Sequence, residues 1–579
     1  MKHTTARPSS LLPLLLVCVL LAPPLAATAG ETSPKHLDAL LRGSPEEAAD
    51  APRDREEDAP ADAPRDREEA APAGAPRDRE EDAPADAPRD RPDCPPPSDT
   101  GRCLGERLRR LASAPALREA RLGALVGRLD DGAVLFSERA GESFLPASTT
   151  KLLVAAAALH HLGPEHRFRT EVLSDSQEGD RIRGNLYVRG WGDPSIDAAT
   201  LLSLAEALRE RGIGAIEGRV IVDGAAFDDE RLPPGFARRT TDAAYRAAVG
   251  AFAAYSGAVR VAIYPGPAPG APCRVDLGLG GRYFELSNGC RTVAGKASKP
   301  TLATERVGDR MRLVVAGQMG SGAPRVVTRR RTEHPELHAA YAFSEALTRL
   351  DITLGGGPRL GATPSERQLR ITHHSAPLSV LLRPLNKDSD NFYAEMILKA
   401  LGGEVFGHPA TWEQGQRAVM RYLDEVGAAM VKEYAHAAGD EDLFPPALFA
   451  VALLDRDAYL FSNGSGLYDA TRVSPALLFH VLRAAARDPL SGADFVQSLP
   501  IAGRDGTLRR RMRDTPAAGR ARGKTGTLNR VNTLAGLVQS MDGARYVFVL
   551  LANETTKAHA DVRQALDRMV AAISRGCGP

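Results

Sequence analysis

The sequence predicts an α/β (α+β) fold in which one α/β layer, assembled from the two ends of the chain, carries a large β-rich insertion. Three observations predict it. Residues 104–159 read as helix, hairpin and helix in succession. Residues 168–340 change to short β runs between loops rich in Gly and Pro. Residues 533–573 return to two adjacent strands and a closing helix.

Taken in order, the chain begins with a basic Lys2, His3 and Arg7, an apolar run from Leu11 to Leu21, and Ala27-Thr28-Ala29. That is the pattern of a secretory signal peptide over residues 1–29, cleaved before Gly30. The apolar run is short for a membrane span, and Val17 before Cys18 is bulky for lipoprotein processing. The expectation is therefore a soluble exported protein, periplasmic or extracellular, with no transmembrane segment after signal removal. Residues 30–102 read as a linker. Within it Ala51-Pro52-Arg53-Asp54-Arg55-Glu56-Glu57 recurs at Ala63 and Ala75, and in shortened form at Ala87, with a period of 63 − 51 = 12. Pro, Ala and charge without larger aliphatics cannot bury enough apolar surface to offset ordering entropy, so this stretch is expected to be an extended spacer.

Folded sequence is expected from Cys103. Leu104–Leu117 has helical patterning. Leu122–Leu129 and Ala133–Phe136 flank Asp130-Asp131-Gly132, a hairpin with a D-G turn. Leu152–Leu159 is an unbroken apolar run of helix formers. In the middle, Gly218–Val222 and Arg260–Ile263 read as strands. Helical patterning returns at Leu337 and over Asn391–Leu401. Thr533–Gln539 and Tyr546–Leu551 read as paired strands, and Val562, Leu566, Met569, Val570 and Ile573 form a core-facing helical stripe. The expected domains are thus the signal peptide (1–29), the linker (30–102), a first layer from 103–167 with 341–579, and an inserted β-rich region at 168–340.

The chain of 579 residues is 43% hydrophobic and 25% charged, as a folded globular protein is. Its net charge of +1 gives no support to nucleic-acid or membrane-surface binding. Export permits disulfides. Cys273–Cys290, flanking one Gly-rich stretch, is the first candidate pair and Cys94–Cys103 the second, with free thiols as the alternative. No CxxC or His/Cys spacing suggests a metal site.

The chemistry is carried by three short motifs. Ser148 and Lys151 stand three residues apart at the head of the apolar run, so that one helix face brings an amine beside a hydroxyl. A serine becomes a nucleophile when a neighbouring base takes its proton. Ser389-Asp390-Asn391 adds a second hydroxyl and an amide. Lys524-Thr525-Gly526-Thr527 stands just before the strand at 533–539; a Lys there attracts a carboxylate, and Gly526 lets another backbone approach closely.

S-x-x-K, S-D-N and K-T-G in that order resemble the active-site set of the β-lactamase and penicillin-binding protein superfamily. The gap from Ser148 to Ser389, 389 − 148 = 241 residues, is far too long for a class A β-lactamase. The chain resembles instead the class C low-molecular-mass penicillin-binding proteins, the D-alanyl-D-alanine carboxypeptidase/endopeptidase family. Gly192-Asp193-Pro194-Ser195, Asn463-Gly464-Ser465-Gly466-Leu467 and Pro500–Leu508 look like further family signatures, and the likeness runs over roughly residues 103–575. Two departures stand out: Asn463 where the family often has Asp, and a longer, Ala-rich stretch between Val431 and Tyr459.

The resemblance implies a β-lactamase/transpeptidase-like domain and an acyl-enzyme mechanism without metal or organic cofactor. Ser148 is the implied nucleophile, and Lys151, neutralised by burial and by the nearby charge of Lys524, the base. Ser389 relays the proton. Asn391 positions Lys151 and the substrate, and Lys524 and Thr525, with Gly526 and Thr527, hold it; the N–H groups of Ser148 and Thr527 form the oxyanion hole. The implied partners are peptidoglycan stem peptides, with β-lactams as covalent inhibitors. Lys387 reads as a surface charge, Ser465 as either a cleft or a turn serine, and His373 and His374 as local structure. A β-lactamase or esterase on the same motifs is the alternative enzyme reading. A scaffold that merely retains the fold is the non-enzymatic one, and the intact motifs speak against it.

Overall fold

The computed structural model describes residues 97–238, 240–437, 459–468 and 471–577. The leader, the repeat, Cys94 and the stretch 438–458 lie outside them. The first helix, α1 (Pro97–Ala112), does not run on to Leu117. Pro115 forces Ala114 into an extended conformation (φ −58°, ψ 148°), and a separate short turn starts there. Strands β1 (Arg121–Arg128) and β2 (Val134–Glu138) form the expected hairpin. At its turn Asp131 Oδ1 accepts the Ala133 N–H and Gly132 adopts φ 79°. Helix α2 (Lys151–Leu162) follows a 3₁₀ turn over Ala147–Thr150. Every residue from Lys151 to Leu159 is buried, so this helix is apolar all round because it is covered all round.

The chain then leaves this layer. Strands β3 (Arg169–Ser174), β4 (Leu186–Gly190) and β5 (Val220–Asp223) enter a second sheet, completed by Arg359–Leu360 at one edge and β6 (Gln368–His374) at the other. Helices α3 (Ala198–Glu210) and α4 (Pro335–Arg349) pack on it. Leu201, Leu204 and Leu208 share one core with Ala339, Phe343 and Leu347 and with Val172, Val188, Val220 and Val222. Two smaller sheets of three and four strands are built around Ala258–Tyr264 and Arg310–Gly320. Although α4 and β6 lie near or beyond residue 340, both pack with this middle region.

Helices α5 (Leu378–Lys387), α6 (Asn391–Phe406), α7 (Trp412–Ala437) and α8 (Pro475–Arg487) surround α2. The chain closes with β7 (Ala521–Leu528), β8 (Val531–Gln539), β9 (Arg545–Asn553) and α9 (His559–Arg575). The first sheet is antiparallel throughout in the order β7-β8-β9-β1-β2, so its central strands come from opposite ends of the sequence. Side chains alternate across it. Ala124, Val126, Phe548 and Leu550 meet α1 and α9 on one face. Leu125, Val547, Val549 and Leu551 meet α2 and α8 on the other. The helical stripe Val562, Leu566, Met569, Val570 and Ile573 is fully buried, as its spacing predicts.

Cys273 and Cys290 are bonded, as expected. Cys103 is bonded to Cys577 and not to Cys94. The physical reason is the packing of α1 on α9, which also brings Arg107 Nη1 to within 2.7 Å of the Gly576 carbonyl. This cross-link joins residues 474 positions apart and so fastens the outer helical layer at both chain ends. Non-reducing peptide mapping is expected to recover the Cys103 and Cys577 peptides as one species. A long closed loop makes Cys577→Ser cost about 2–5 kcal/mol in urea unfolding.

Candidate active site

The Leu145–Thr150 loop that carries Ser148 is pinned to the first sheet. Asn553 makes two hydrogen bonds to the Leu145 backbone, at 2.8 and 3.1 Å, and Thr533 Oγ1 donates to the Pro146 carbonyl at 2.9 Å. Thr149 and Thr150 hydroxyls bond back to the carbonyls of Pro146 and Ala147, tightening the turn. Ala147 is held at φ 48°, a conformation costly for a residue with a Cβ. The result turns Ser148, partly exposed, toward the cleft, with Lys151 one turn on and wholly buried.

Lys151 Nζ has three neighbours. It lies 3.0 Å from Ser148 Oγ, 2.7 Å from Asn391 Oδ1 and 3.0 Å from the Ser465 carbonyl. Burial lowers its pKa to about 7, against the opposing pull of the Glu395 and Asp390 carboxylates. A neutral amine has two N–H donors and one lone pair. Asn391 Oδ1 and the Ser465 carbonyl only accept, so they take both donors, and the lone pair is left facing Ser148 Oγ.

Ser389 comes from the turn into α6 and sits at φ 60°, the left-handed region. Asp390 caps that helix by accepting the Tyr393 N–H. Lys524, on β7, is also fully buried. Its Nζ donates to Ser389 Oγ at 2.7 Å and to the Thr525 carbonyl at 2.9 Å. Burial first, and then the charge of Lys151, pull the Lys524 pKa well down, while Asp388 opposes them. The expected coupling between the two amines therefore acts on Lys524; burial is the cause at Lys151.

β7 is the edge strand of its sheet, so part of its backbone faces the Ser148 loop instead of a further strand. A Cβ on Gly526 would lie 2.8 Å from the Ser148 nitrogen and 2.9 Å from Ala147 Cβ, so only glycine lets the two backbones approach. Thr525 and Thr527 are partly exposed on this strand. Thus one set of hydrogen bonds joins Lys151 to Ser148 and Asn391, a second joins Lys524 to Ser389, and Gly526 brings the strand that carries Thr525 and Thr527 against the Ser148 backbone.

Several further residues hold the site that the motifs did not flag. Glu395, one helical turn after Asn391, is buried and accepts the Gly464 and Ser465 N–H groups at 3.0 and 2.8 Å. It thereby aims the Ser465 carbonyl at Lys151. The i, i+4 spacing from Asn391 is the sequence signal that could have found it. Asn391 Nδ2 donates to the Tyr245 carbonyl, a contact from the middle region with no local sequence signal. Asn463 uses both ends of its amide. It donates to the Pro234 and Leu467 carbonyls and accepts from Gly466 N–H, which an Asp could not do in full. Ser465 is a buried turn residue whose hydroxyl accepts the Leu467 N–H. His373 and His374 end β6.

Lys387 is not a surface charge. Its ammonium lies 2.6 Å from Asp505 Oδ2 and 3.1 Å from the Leu499 carbonyl. Asp505 Oδ1 accepts the Ile501 N–H, and Gly506 sits so close to the Lys387 carbonyl that a Cβ there would lie 2.6 Å from it. The clamp joins the S-D-N turn to the 500–508 loop. It sets Thr507, whose Oγ1 is 2.9 Å from Thr525 Oγ1.

The D-Ala-D-Ala carboxypeptidase 3 (S13) family model matches residues 104–434 and 446–573. The chain belongs to this family. It is 33% identical over 456 residues to the D-alanyl-D-alanine carboxypeptidase of an Actinomadura species, covering 76% of this chain and 79% of that protein. It is 29% identical to a carboxypeptidase of Mycolicibacterium smegmatis, covering 84% of this chain and 86% of the relative. Among solved structures it is similar to penicillin binding protein 4 of Haemophilus influenzae, with TM-score 0.63 and 21% identity over 80% of this chain and 98% of that one. The mixed α/β fold is the fold of that structure. The expected family and fold class are borne out.

Two substitutions probe the support of this S13 family site. Glu395→Gln replaces one acceptor oxygen by a donor and leaves a buried backbone N–H unpaired. It is expected to lower stability by about 1–3 kcal/mol in urea unfolding. Asp505→Ala leaves Lys387 without its carboxylate and Thr507 without its support. It is expected to reduce the second-order rate of acylation by a carboxylate-bearing β-lactam about tenfold, or ~1.4 kcal/mol, read by stopped-flow.

Proposed function

We propose that the protein is a serine-type D-Ala-D-Ala carboxypeptidase that works through an acyl-enzyme on Ser148 and trims peptidoglycan stem peptides. The observation that carries this is the Lys151 amine, buried, with both donors taken and its free electron pair directed at Ser148 Oγ. Ser148 attacks the carbonyl of the D-Ala–D-Ala bond while Lys151 takes its proton. The N–H groups of Ser148 and Thr527 receive the developing oxyanion. Ser389, hydrogen-bonded to Lys524, passes the proton to the leaving amine, and the C–N bond breaks. Lys524, Thr525 and Thr507 hold the terminal carboxylate of the departing D-alanine. Asn391 keeps Lys151 aligned and faces the substrate amide. Water then hydrolyses the ester. Every step uses side chains and backbone of this chain.

β-Lactams follow the same first step, because their strained amide presents the same carbonyl and carboxylate. A solved relative in fold, penicillin binding protein 4 of Haemophilus influenzae, has been obtained with a β-lactam. Export to the periplasm or beyond fits the leader sequence, the two disulfides and the location of the substrate. Among the described residues no helix is long and apolar enough to cross a membrane.

Labelling with a fluorescent penicillin followed by peptide mapping is expected to place one slowly released adduct on Ser148 and none in Ser148→Ala. Absence of an adduct overturns the enzyme reading, and rapid release turns it toward a β-lactamase. Lys151 must be neutral to accept the proton. Acylation is therefore expected to fall about tenfold per pH unit below pH 7 and to level off above it, since the amine titrates at about 7. Lys151→Arg, which stays protonated, is expected to lose about 10²–10⁴ in acylation rate at every pH between 6 and 9.

A further inference from the structure

The repeat that precedes the fold and one face of the middle region carry opposite charge. Residues 53–93 hold 15 acidic and 8 basic side chains, a net of −7. Residues 255–331 hold 13 basic and 4 acidic ones, a net of +9. The whole chain carries +1, so all its other residues together carry −1. The two excesses therefore answer one another within a single chain.

The positive excess has a definite place. The strand Ala258–Tyr264 pairs with Val326–Arg331 on one side and with Arg274–Asp276 on the other. Val259, Val261 and Ile263 enter the core, so alternation turns Arg260 outward. Arg329 lies directly opposite Arg260, and Arg274 lies opposite Tyr264. All three arginines are exposed. Arg274 stacks on the Tyr264 ring at 3.9 Å, and Arg329 donates to the Tyr255 carbonyl at 2.7 Å. None of the three forms a salt bridge among the described residues. Asp276, on the outer strand, accepts the Gly278 N–H. Like charges directly opposite on a sheet oppose folding, so the unpaired Arg260 and Arg329 suit a surface that receives an anion. This face borders the cleft. Arg330 bridges to Ala243, and the Arg331 N–H donates to the Asp242 carbonyl. The strand is thereby tied to the loop whose Tyr245 carbonyl holds Asn391. The charge of Arg329 also reaches Asp390.

We propose that the acidic segment 53–93 docks on the Arg260, Arg274 and Arg329 face of its own chain, at the margin of the cleft. Its repeats offer the short acidic runs Glu56-Glu57-Asp58, Glu68-Glu69 and Glu80-Glu81-Asp82. Three extended residues span about 10 Å, close to the ~13 Å that four residues of strand put between Arg260 and the level of Arg274. Three equivalent runs on one tether raise the effective concentration of carboxylate at a single face. The segment ends at Asp93, shortly before α1 begins at Pro97. Extended, 41 residues reach about 130 Å, well beyond the breadth of a folded domain. Arginine pairs carboxylates through its planar fork. Exposed pairs are individually weak and screened by salt, so the contact holds at low ionic strength and releases as salt rises.

Small-angle X-ray scattering compares the full chain with two full-length variants. Arg260→Glu/Arg329→Glu reverses the face. Arg209→Glu/Arg211→Glu changes net charge equally at exposed positions outside it. Cooperative urea unfolding shows that each is folded, and Arg274→Glu provides a milder variant of the face. Salt is raised from about 20 to about 500 mM, across which the Debye length falls from about 20 to about 4 Å. The maximum dimension of the full chain and of the control is expected to grow by about 20 Å with salt, as a released coil of this length requires. The face variant is expected to be extended already at low salt. Trypsin cleavage after the arginines of 53–93 is expected to be about fivefold faster in the face variant than in the control at low salt, and equal in both at high salt. The same salt response in all the chains overturns the proposal. A doubled scattering mass at low salt that the face variant abolishes places the segment on a second copy and overturns the contact within one chain. A full chain already extended at low salt, whose face binds added inorganic polyphosphate, also overturns it.

Discussion

The site depends on keeping one amine out of water. Lys151 is at the head of α2, a helix covered on all sides, and in that position its charged form is costly. Two fixed acceptors, Asn391 Oδ1 and the Ser465 carbonyl, then decide where its remaining electron pair points. Without the burial the amine would remain an ammonium near neutral pH. Without the acceptors its electron pair would have no fixed direction. Glu395, Asn463 and the Leu145–Pro146 anchors act through these two requirements, since each holds a group that holds Lys151 or Ser148.

The same constraint explains the layering. The burial of α2 requires the first sheet on one side and α5–α8 around the rest, so chain from both ends must meet before Lys151 is covered. The middle region, inserted between Ser148 and Ser389, is not a passive passenger. Through the Tyr245 carbonyl it holds the amide of Asn391, and through the Pro234 carbonyl it holds Asn463. We propose that these two contacts let the inserted region set the cleft as well as border it. The Cys103–Cys577 bond fastens the outer face of the first sheet, away from the chemistry.

Much of this was legible in the residues. The apolar alternation of the closing strands and the D-G turn described local structure with short-range causes, and the structure has them. The helix that stops at Ala112 illustrates the limit: its patterning continued to Leu117, but Pro115 overruled periodicity through the conformation it imposes on Ala114. Lys387 illustrates another. A lysine two residues before the S-D-N motif looks solvated until Asp505, 118 positions away, is brought to it.

The sequence by itself determined the family and the fold class, because three ordered motifs and the apolar patterning of the chain's two ends are local features of the residues. The tertiary structure alone decided which of them touch and in what electrical state. The pKa of Lys151 comes from burial by segments up to hundreds of residues away. The partner of Cys103 comes from the packing of the first helix on the last. Each is a property of distance through space, and no local pattern in the chain encodes it.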